Sequence, residues 1–171
     1  MAGLPGTGKS TLARALAREL GAVVLDKDRI RAALFPPAVI DYSAAQNDFC
    51  MAVVYRTAAF LLGQAAARPV IVDGRTFGRS IQVQALQKAA QTMAARLYIV
   101  ECVCAEATAL ARLAGDVAQG AHPAADRGPA LYARIKVGWV PITAPKLVVD
   151  TDAPLENCLA RCLTYLTISS S

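Results

Sequence analysis

The chain has 171 residues, of which 55% are hydrophobic and 18% are charged, and this composition predicts one folded domain and excludes a disordered chain. No apolar run approaches the length of a membrane span, and the glycine-rich N-terminus is unlike a signal peptide, so we expect a cytoplasmic protein. The formal net charge of +5 suits a polyphosphate ligand and permits nucleic acid without indicating it, although an ordinary soluble surface has a similar charge.

The first residues form a phosphate-binding motif, because Gly3, Gly8, Lys9 and Ser10 fit the pattern G-x-x-x-x-G-K-[ST]. Glycines let such a loop turn tightly and bring its N–H groups to phosphate oxygens, while the lysine adds a mobile positive charge. Residues 10–20 predict a helix, whose N-terminus favours an anion. An ordinary glycine-rich turn before a helix is the alternative. We predict these nucleotide-binding residues: Gly3, Pro5, Gly6, Thr7, Gly8, Lys9, Ser10 and Thr11.

The start of the sequence departs from the usual setting of this motif. A phosphate-binding loop normally follows a buried strand, whereas only Met1 and Ala2 precede Gly3. We therefore expect the first strand to be missing from the sequence as given, and we expect the chain without it to be poorly soluble or rearranged.

The rest of the chain alternates apolar runs with helical periods. Strands are predicted at 22–25, 69–73, 97–103 and 146–150, and helices at 29–34, 43–67, 79–95, 106–113, 131–137 and from 152 onward. The long third helix is expected to turn Phe49, Val53 and Phe60 inward, and the last helix Leu155, Leu159, Leu163 and Leu166. Residues 114–129 lack an apolar period and predict a lid-like loop. The pattern predicts a single domain over 1–171, of the α/β class, with a parallel sheet and helices on both faces.

Three acidic residues lie at or just beyond the C-terminal ends of predicted strands, where ligands of open parallel sheets bind. Asp73 ends an apolar strand and could hold Mg²⁺ together with the Ser10 hydroxyl, or it could be a structural turn residue. Asp26 and Asp28 could orient or deprotonate a hydroxyl. Alternatively, either one caps the next helix, and Asp28 is well placed to do so.

With these motifs the sequence resembles the small P-loop kinases of the polynucleotide-kinase, zeta-toxin and shikimate-kinase type. The resemblance rests on residues 3–11, on the acidic pair within Leu25–Arg31, on Asp73 and on the lid-like break in the apolar pattern after Arg112. It implies a P-loop NTPase-type sheet with ATP and Mg²⁺ as cofactors. By the same resemblance Asp26 or Asp28 is the base, and residues 150–153 lie near the adenine. It further implies that Arg31, Arg75 and Arg79 hold the acceptor, and that Arg112 and Arg127 close on the phosphates.

The predicted function is therefore an ATP-dependent phosphotransferase that moves the γ-phosphate to a hydroxyl of a small-molecule or nucleotide-like acceptor. A regulatory ATPase, or an inactive nucleotide-binding protein without an acceptor, is the alternative. The acidic pair, together with Arg75 and Arg79, favours an acceptor pocket. Neither the acceptor nor the oligomeric state follows from the sequence.

Overall fold

The protein alternates parallel strands with helices, as the sequence predicts. The computed structural model describes residues 1–119 and 128–168. Its strands are β1 (Val23–Asp26), β2 (Val70–Asp73), β3 (Val100–Val103) and β4 (Leu147–Asp150). Its helices are α1 (Lys9–Leu20), α2 (Lys27–Leu34), α3 (Ala44–Leu62), α4 (Ser80–Thr92), α5 (Glu106–Gln119), α6 (Pro129–Val137) and α7 (Leu155–Ile168), with a short 3₁₀ turn at Pro37–Val39. The predicted α/β class is confirmed.

The four strands form two parallel pairs, β1 with β2 and β3 with β4, rather than one continuous ladder. Residues 1–3 run between the pairs and contact both. The Met1 amine donates to the Val72 carbonyl at 2.8 Å. Ala2 donates to the Val100 carbonyl and accepts from the Cys102 N–H, each at 2.8 Å. This position places the phosphate-binding loop, which follows at once, in the middle of the edge where the strands end.

Buried side chains form two main clusters on the strands. One cluster joins β1 to α3 and α4 and contains Leu25, Met51, Val54, Phe77, Val83, Ile99 and Ile142. The other joins β3 and β4 to α1 and α7 and contains Leu12, Leu16, Val100, Cys102, Val149, Cys158 and Cys162. All five cysteines are free thiols, and four of them are buried as small apolar side chains. No helix within the described ranges is both long and apolar enough to cross a bilayer.

The buried face of α3 differs from the predicted one. Phe49 and Phe60 are 55% and 68% exposed, whereas the buried residues of this helix are Cys50, Met51, Val54 and Ala58. Phe49 instead packs edge-to-face on Phe35, with ring centroids 5.7 Å apart. On α7, Leu155 is 36% exposed, whereas the predicted Leu159, Leu163 and Leu166 pack, partly buried, against the cluster that contains the buried Cys158 and Cys162.

Residues 114–119, predicted to belong to a lid-like loop, instead form the last part of α5, which continues to Gln119. Alanines at 114 and 118 favour a helix, and nothing lies near the position that a Cβ would take at Gly115, so this glycine meets no packing constraint. Helix α6 begins at Pro129, a residue suited to the first helical turn because its missing N–H is not needed there. Arg127, predicted as a lid arginine, lies outside the described residues.

Candidate active site

The phosphate-binding loop depends on glycine at positions where the backbone is left-handed and closely packed. Gly3, Gly6 and Gly8 have φ angles of 129°, 77° and 73°. A Cβ on Gly3 would lie 2.2 Å from the Cys102 carbonyl oxygen, and one on Gly6 would lie 2.4 Å from that of Ala109. The loop therefore rests directly on β3 and α5, and α1 begins immediately after Gly8.

Lys9 folds back over this loop. Its side chain is buried, with 7% of the residue exposed, and its Nζ donates to the Leu4 carbonyl at 2.6 Å. The Thr7 hydroxyl donates to the same carbonyl at 2.8 Å. The ammonium group thus stands above the loop at the start of α1, where phosphate oxygens are favoured.

A cleft of about 920 Å³ extends from the loop along the ends of β1 and β2 toward α3, α4 and α6. Many residues predicted for the site line it, namely Pro5, Lys9, Ser10, Asp28, Arg31, Asp73, Arg75 and Arg79. Asp26 and Arg112 are not among the lining residues. One cleft therefore connects the phosphate-binding loop with one member of the acidic pair and with all three predicted acceptor arginines.

Asp73 fits the metal-binding role predicted for it. It is only 1% exposed, and its Oδ1 has no hydrogen-bond partner among the described residues. It lines the cleft together with Ser10. Mg²⁺ prefers oxygen ligands and is commonly held by one or two carboxylates plus substrate phosphates. An orphaned carboxylate oxygen beside the loop therefore suits Mg²⁺.

The two acids at the junction of β1 and α2 have different environments. Asp26 is the N-cap of α2, since its Oδ1 accepts from the N–H groups of Asp28 at 2.8 Å and Arg29 at 3.4 Å. The capping role suggested for Asp28 therefore belongs to Asp26. Burial raises the pKa of the Asp26 carboxyl. Of the pair, only Asp28 lines the cleft.

Two cations hold Asp28, and one amide holds both cations. Asp28 Oδ1 lies 3.0 Å from Lys27 Nζ and 2.7 Å from Arg31 Nη1. Asn47 Oδ1 accepts from Lys27 Nζ at 2.7 Å and from Arg31 Nη2. The Asn47 amide nitrogen in turn donates to the carbonyls of Tyr42 and Ser43 at 2.9 and 2.8 Å. The Asn47 side chain therefore fixes the two cations that orient Asp28.

Both cations of this network are buried. Lys27 is 8% and Arg31 2% exposed, and burial lowers the pKa of the Lys27 ammonium. The Arg31 guanidinium also lies over the Tyr42 ring, 4.9 Å from its centroid. Arg31, predicted to hold the acceptor, is thus mainly engaged in holding Asp28.

The remaining predicted arginines have separate positions. Arg75 forms an ion pair of 2.6 Å with Asp48, whose side chain is 65% exposed. Arg79 is exposed and immediately precedes α4. Arg112 donates to the hydroxyl and carbonyl of Thr151 at 3.1 and 2.8 Å. This contact places Arg112 beside the turn after β4, so its catalytic role stays a prediction.

Sequence reasoning missed two cations that line the cleft, Lys27 and Arg134. Lys27 lies between Asp26 and Asp28 in the sequence, and its position next to Asp28 could have indicated it as a residue of the site. Arg134 lies on α6, the short helix after the predicted lid. A search for basic residues on both sides of that segment would have found it.

The sequence also matches a family model. The model described as an AAA domain (AAA_33) matches residues 1–128, which include the loop, the acidic pair and Asp73. The chain belongs to this AAA-domain family. No curated protein matches the chain significantly.

Solved structures resemble this AAA-domain protein over nearly its whole length. A protein of Chloroflexus aurantiacus J-10-fl described as a kinase is 24% identical and aligns with a TM-score of 0.71 over 94% of this chain and 92% of its own. The APS kinase of Mycobacterium tuberculosis, solved with AMPPNP and APS, is 19% identical, with a TM-score of 0.73 over 97% and 94%. A gluconokinase of Sinorhizobium meliloti 1021 is 19% identical, with a TM-score of 0.67 over 99% and 95%. The protein therefore has the fold of the small P-loop kinases.

Proposed function

We propose that the protein is an ATP-dependent kinase that transfers the γ-phosphate of ATP to a hydroxyl of a small-molecule or nucleotide-like acceptor. The observation that carries this proposal is the single cleft that contains both Lys9 and Asp28. A hydrolase needs only the nucleotide end of such a cleft. A second, carboxylate-bearing end with its own supporting network is what a hydroxyl acceptor needs.

At the nucleotide end, the loop N–H groups and Lys9 bind the β- and γ-phosphates, and Lys9 exchanges its bond to the Leu4 carbonyl for phosphate oxygens. Ser10 and Asp73 would hold Mg²⁺, which offsets the charge of the phosphate oxygens. The buried Asp73 carboxylate then gains a partner for its orphaned oxygen.

At the acceptor end, Asp28 orients the hydroxyl and receives its proton. The acceptor oxygen forms a bond to the γ-phosphorus while the bond from that phosphorus to the β–γ bridging oxygen breaks, and ADP leaves. Lys27 and Arg31 both bind Oδ1 of Asp28, which leaves Oδ2 for the acceptor. Arg75 and Arg79 bind the body of the acceptor, and Arg134 supplies positive charge from α6.

The experiment is to incubate the chain with ATP, Mg²⁺ and a library of hydroxyl compounds, and to identify phosphorylated products by mass spectrometry. We expect at least one phosphorylated product, and we expect Lys9→Ala to abolish it while the circular dichroism spectrum stays unchanged. ATP hydrolysis that needs no acceptor and gives no phosphorylated product would favour the regulatory ATPase instead.

A further inference from the structure

The carboxylates on the acceptor side of the cleft already have partners. Asp28 binds Lys27 and Arg31, and Asp48 binds Arg75. Asp41 is exposed and accepts from the Ser43 N–H at 2.8 Å, a bond that lowers the pKa of its carboxyl. Asp28 and Asp48 are thus already paired with cations, and Asp41 is held by a backbone N–H.

Arg79 lines the same cleft, and no acidic partner for its guanidinium occurs among the described residues. Arg75, four residues earlier, has only the exposed Asp48 as its acidic partner in the described ranges. The Arg75 side chain is 15% exposed but the Asp48 side chain is 65% exposed, so the carboxylate of this pair lies largely in water, where an ion pair contributes little to stability. Two guanidinium groups near the start of α4 are therefore available to a ligand.

The local backbone adds to this positive character. Arg79 precedes the 13-residue helix α4 with an extended backbone and makes no side-chain cap, while its carbonyl accepts from Gln82 and Val83. The first N–H groups of α4, those of Ser80 and Ile81, therefore have no hydrogen-bond acceptor within the helix. Arg79 also lines a smaller adjoining pocket of about 210 Å³, so there is room around it for a ligand group.

We infer that the acceptor carries an anionic group, a phosphate, sulfate or carboxylate, distinct from the hydroxyl that is phosphorylated, and that Arg79 binds this group together with Arg75. The inference rests on the proposed kinase function and narrows its substrate class. A neutral polyol would leave the Arg79 guanidinium without a charged partner, whereas an anion matches its planar fork of donors.

A binding experiment tests the site without turnover. The chain is first saturated with Mg²⁺ and AMPPNP, so that the phosphate-binding loop is filled, and inorganic phosphate, sulfate or acetate is then titrated by calorimetry. We expect phosphate to bind, and Arg79→Ala to weaken it about tenfold or more, because charge-assisted hydrogen bonds are lost. The phosphate affinity of Arg79→Lys should lie between those of the unmodified chain and Arg79→Ala, because lysine keeps the positive charge but lacks the planar set of donors.

Arg56→Ala is the matched control, because Arg56 is an exposed arginine of α3 that does not line the cleft. Phosphate affinity that is absent from the unmodified chain, or equal in the Arg79→Ala and Arg56→Ala variants, overturns the anion site. The order of affinity among phosphate, sulfate and acetate identifies the preferred group.

A turnover experiment with matched acceptors tests the link to the reaction. Adenosine is compared with adenosine 5′-phosphate, glycerol with glycerol 3-phosphate, and glucose with gluconate. We expect product only from anionic members, with a KM that Arg79→Ala raises about tenfold. Equal turnover of neutral and anionic members rejects the inference. Phosphate binding that depends on Arg79, without phosphorylation of any acceptor, supports the anion site and rejects the kinase proposal.

Discussion

Replacing Asn47 with alanine removes the oxygen that Lys27 Nζ and Arg31 Nη2 share. Both cations are buried, and among the described residues each keeps one anionic partner, Asp28 Oδ1. The same substitution deletes two donors that hold the Tyr42 and Ser43 carbonyls at the start of α3. The change is therefore small in volume but affects four hydrogen bonds.

The expected loss of stability follows from the two bonds made by cations. A hydrogen bond to a charged group is worth about 1.5–3 kcal/mol, so the pair would cost about 3–6 kcal/mol. Contacts retained with Asp28, water that enters the cleft and the better helix propensity of alanine offset part of this. We expect a loss of about 3 kcal/mol, which corresponds to a fall in Tm of about 6–12 °C for a chain of this size.

Urea unfolding, followed by circular dichroism and by the fluorescence of the single tryptophan, Trp139, measures this loss. Gln46→Ala is the matched control. The Gln46 side chain accepts from the Asp41 N–H and donates to the Val39 carbonyl, and both bonds are exposed. Its loss should stay within about 0.5 kcal/mol. A loss below about 1 kcal/mol for Asn47→Ala, or one equal to that of Gln46→Ala, would refute the structural role assigned to Asn47.

Three further substitutions test the roles of the acidic residues. Asp28→Asn should lower kcat by ~10²–10⁴-fold with little change in ATP affinity, and a parallel loss of ATP affinity would assign the residue to the nucleotide instead. Asp73→Asn should raise the Mg²⁺ concentration needed for half-maximal AMPPNP binding, measured by calorimetry, while an unchanged requirement would exclude Asp73 as a metal ligand. Burial raises the pKa of Asp26, so its native carboxyl binds protons more tightly than in the unfolded chain. The stabilisation that the Asp26 carboxyl contributes is therefore fully present below its pKa in the unfolded chain, and it is lost as the pH rises through its pKa in the native protein. Asp26→Asn keeps a capping oxygen and should reduce this fall between pH 4 and neutrality in urea titrations, whereas an unchanged pH dependence would contradict it.

Local patterns carried most of what could be predicted from the sequence. The phosphate-binding loop and α1 were predictable because loop glycines and helix period are encoded in adjacent residues. The start of α3 is also encoded locally, since its N-cap Ser43 accepts from the Gln46 N–H at 3.1 Å through its hydroxyl. The Gln46 side chain does not return to the Ser43 N–H but bonds Asp41 and Val39 instead.

Features that depend on tertiary packing were not predictable. The large side chains Phe49 and Phe60 suggested an inner face for α3, yet Cys50, Met51 and Val54 are buried, because the face that packs on the strands is set by tertiary contacts and not by side-chain size. The network around Asn47 joins residues 20 and 16 positions apart, and no local pattern encodes such pairs. The assignment of the cap to Asp26 depended on where β1 ends, and strand boundaries are poorly determined by sequence.

The spacing between the two ends of the cleft is set at one point of the β1–β2 ladder. Asp26 and Asp73 are register partners at the ends of their strands. Asp26 caps α2 and so anchors Asp28, whereas Asp73 lies on the cleft beside the loop. Gly74 has a φ of 85° and lets the start of α2 lie close to the end of β2. A Cβ at this position would lie 2.9 Å from Asp26 Oδ1 and 2.9 Å from the Lys27 backbone nitrogen. A side chain at position 74 would therefore push α2 away from β2 and move Asp28 relative to Asp73. In the proposed phosphoryl transfer, that displacement would separate the acid proposed to bind the metal from the acid proposed to orient the acceptor, so the proposal gives Gly74, which itself lines the cleft, a part in setting the distance between them.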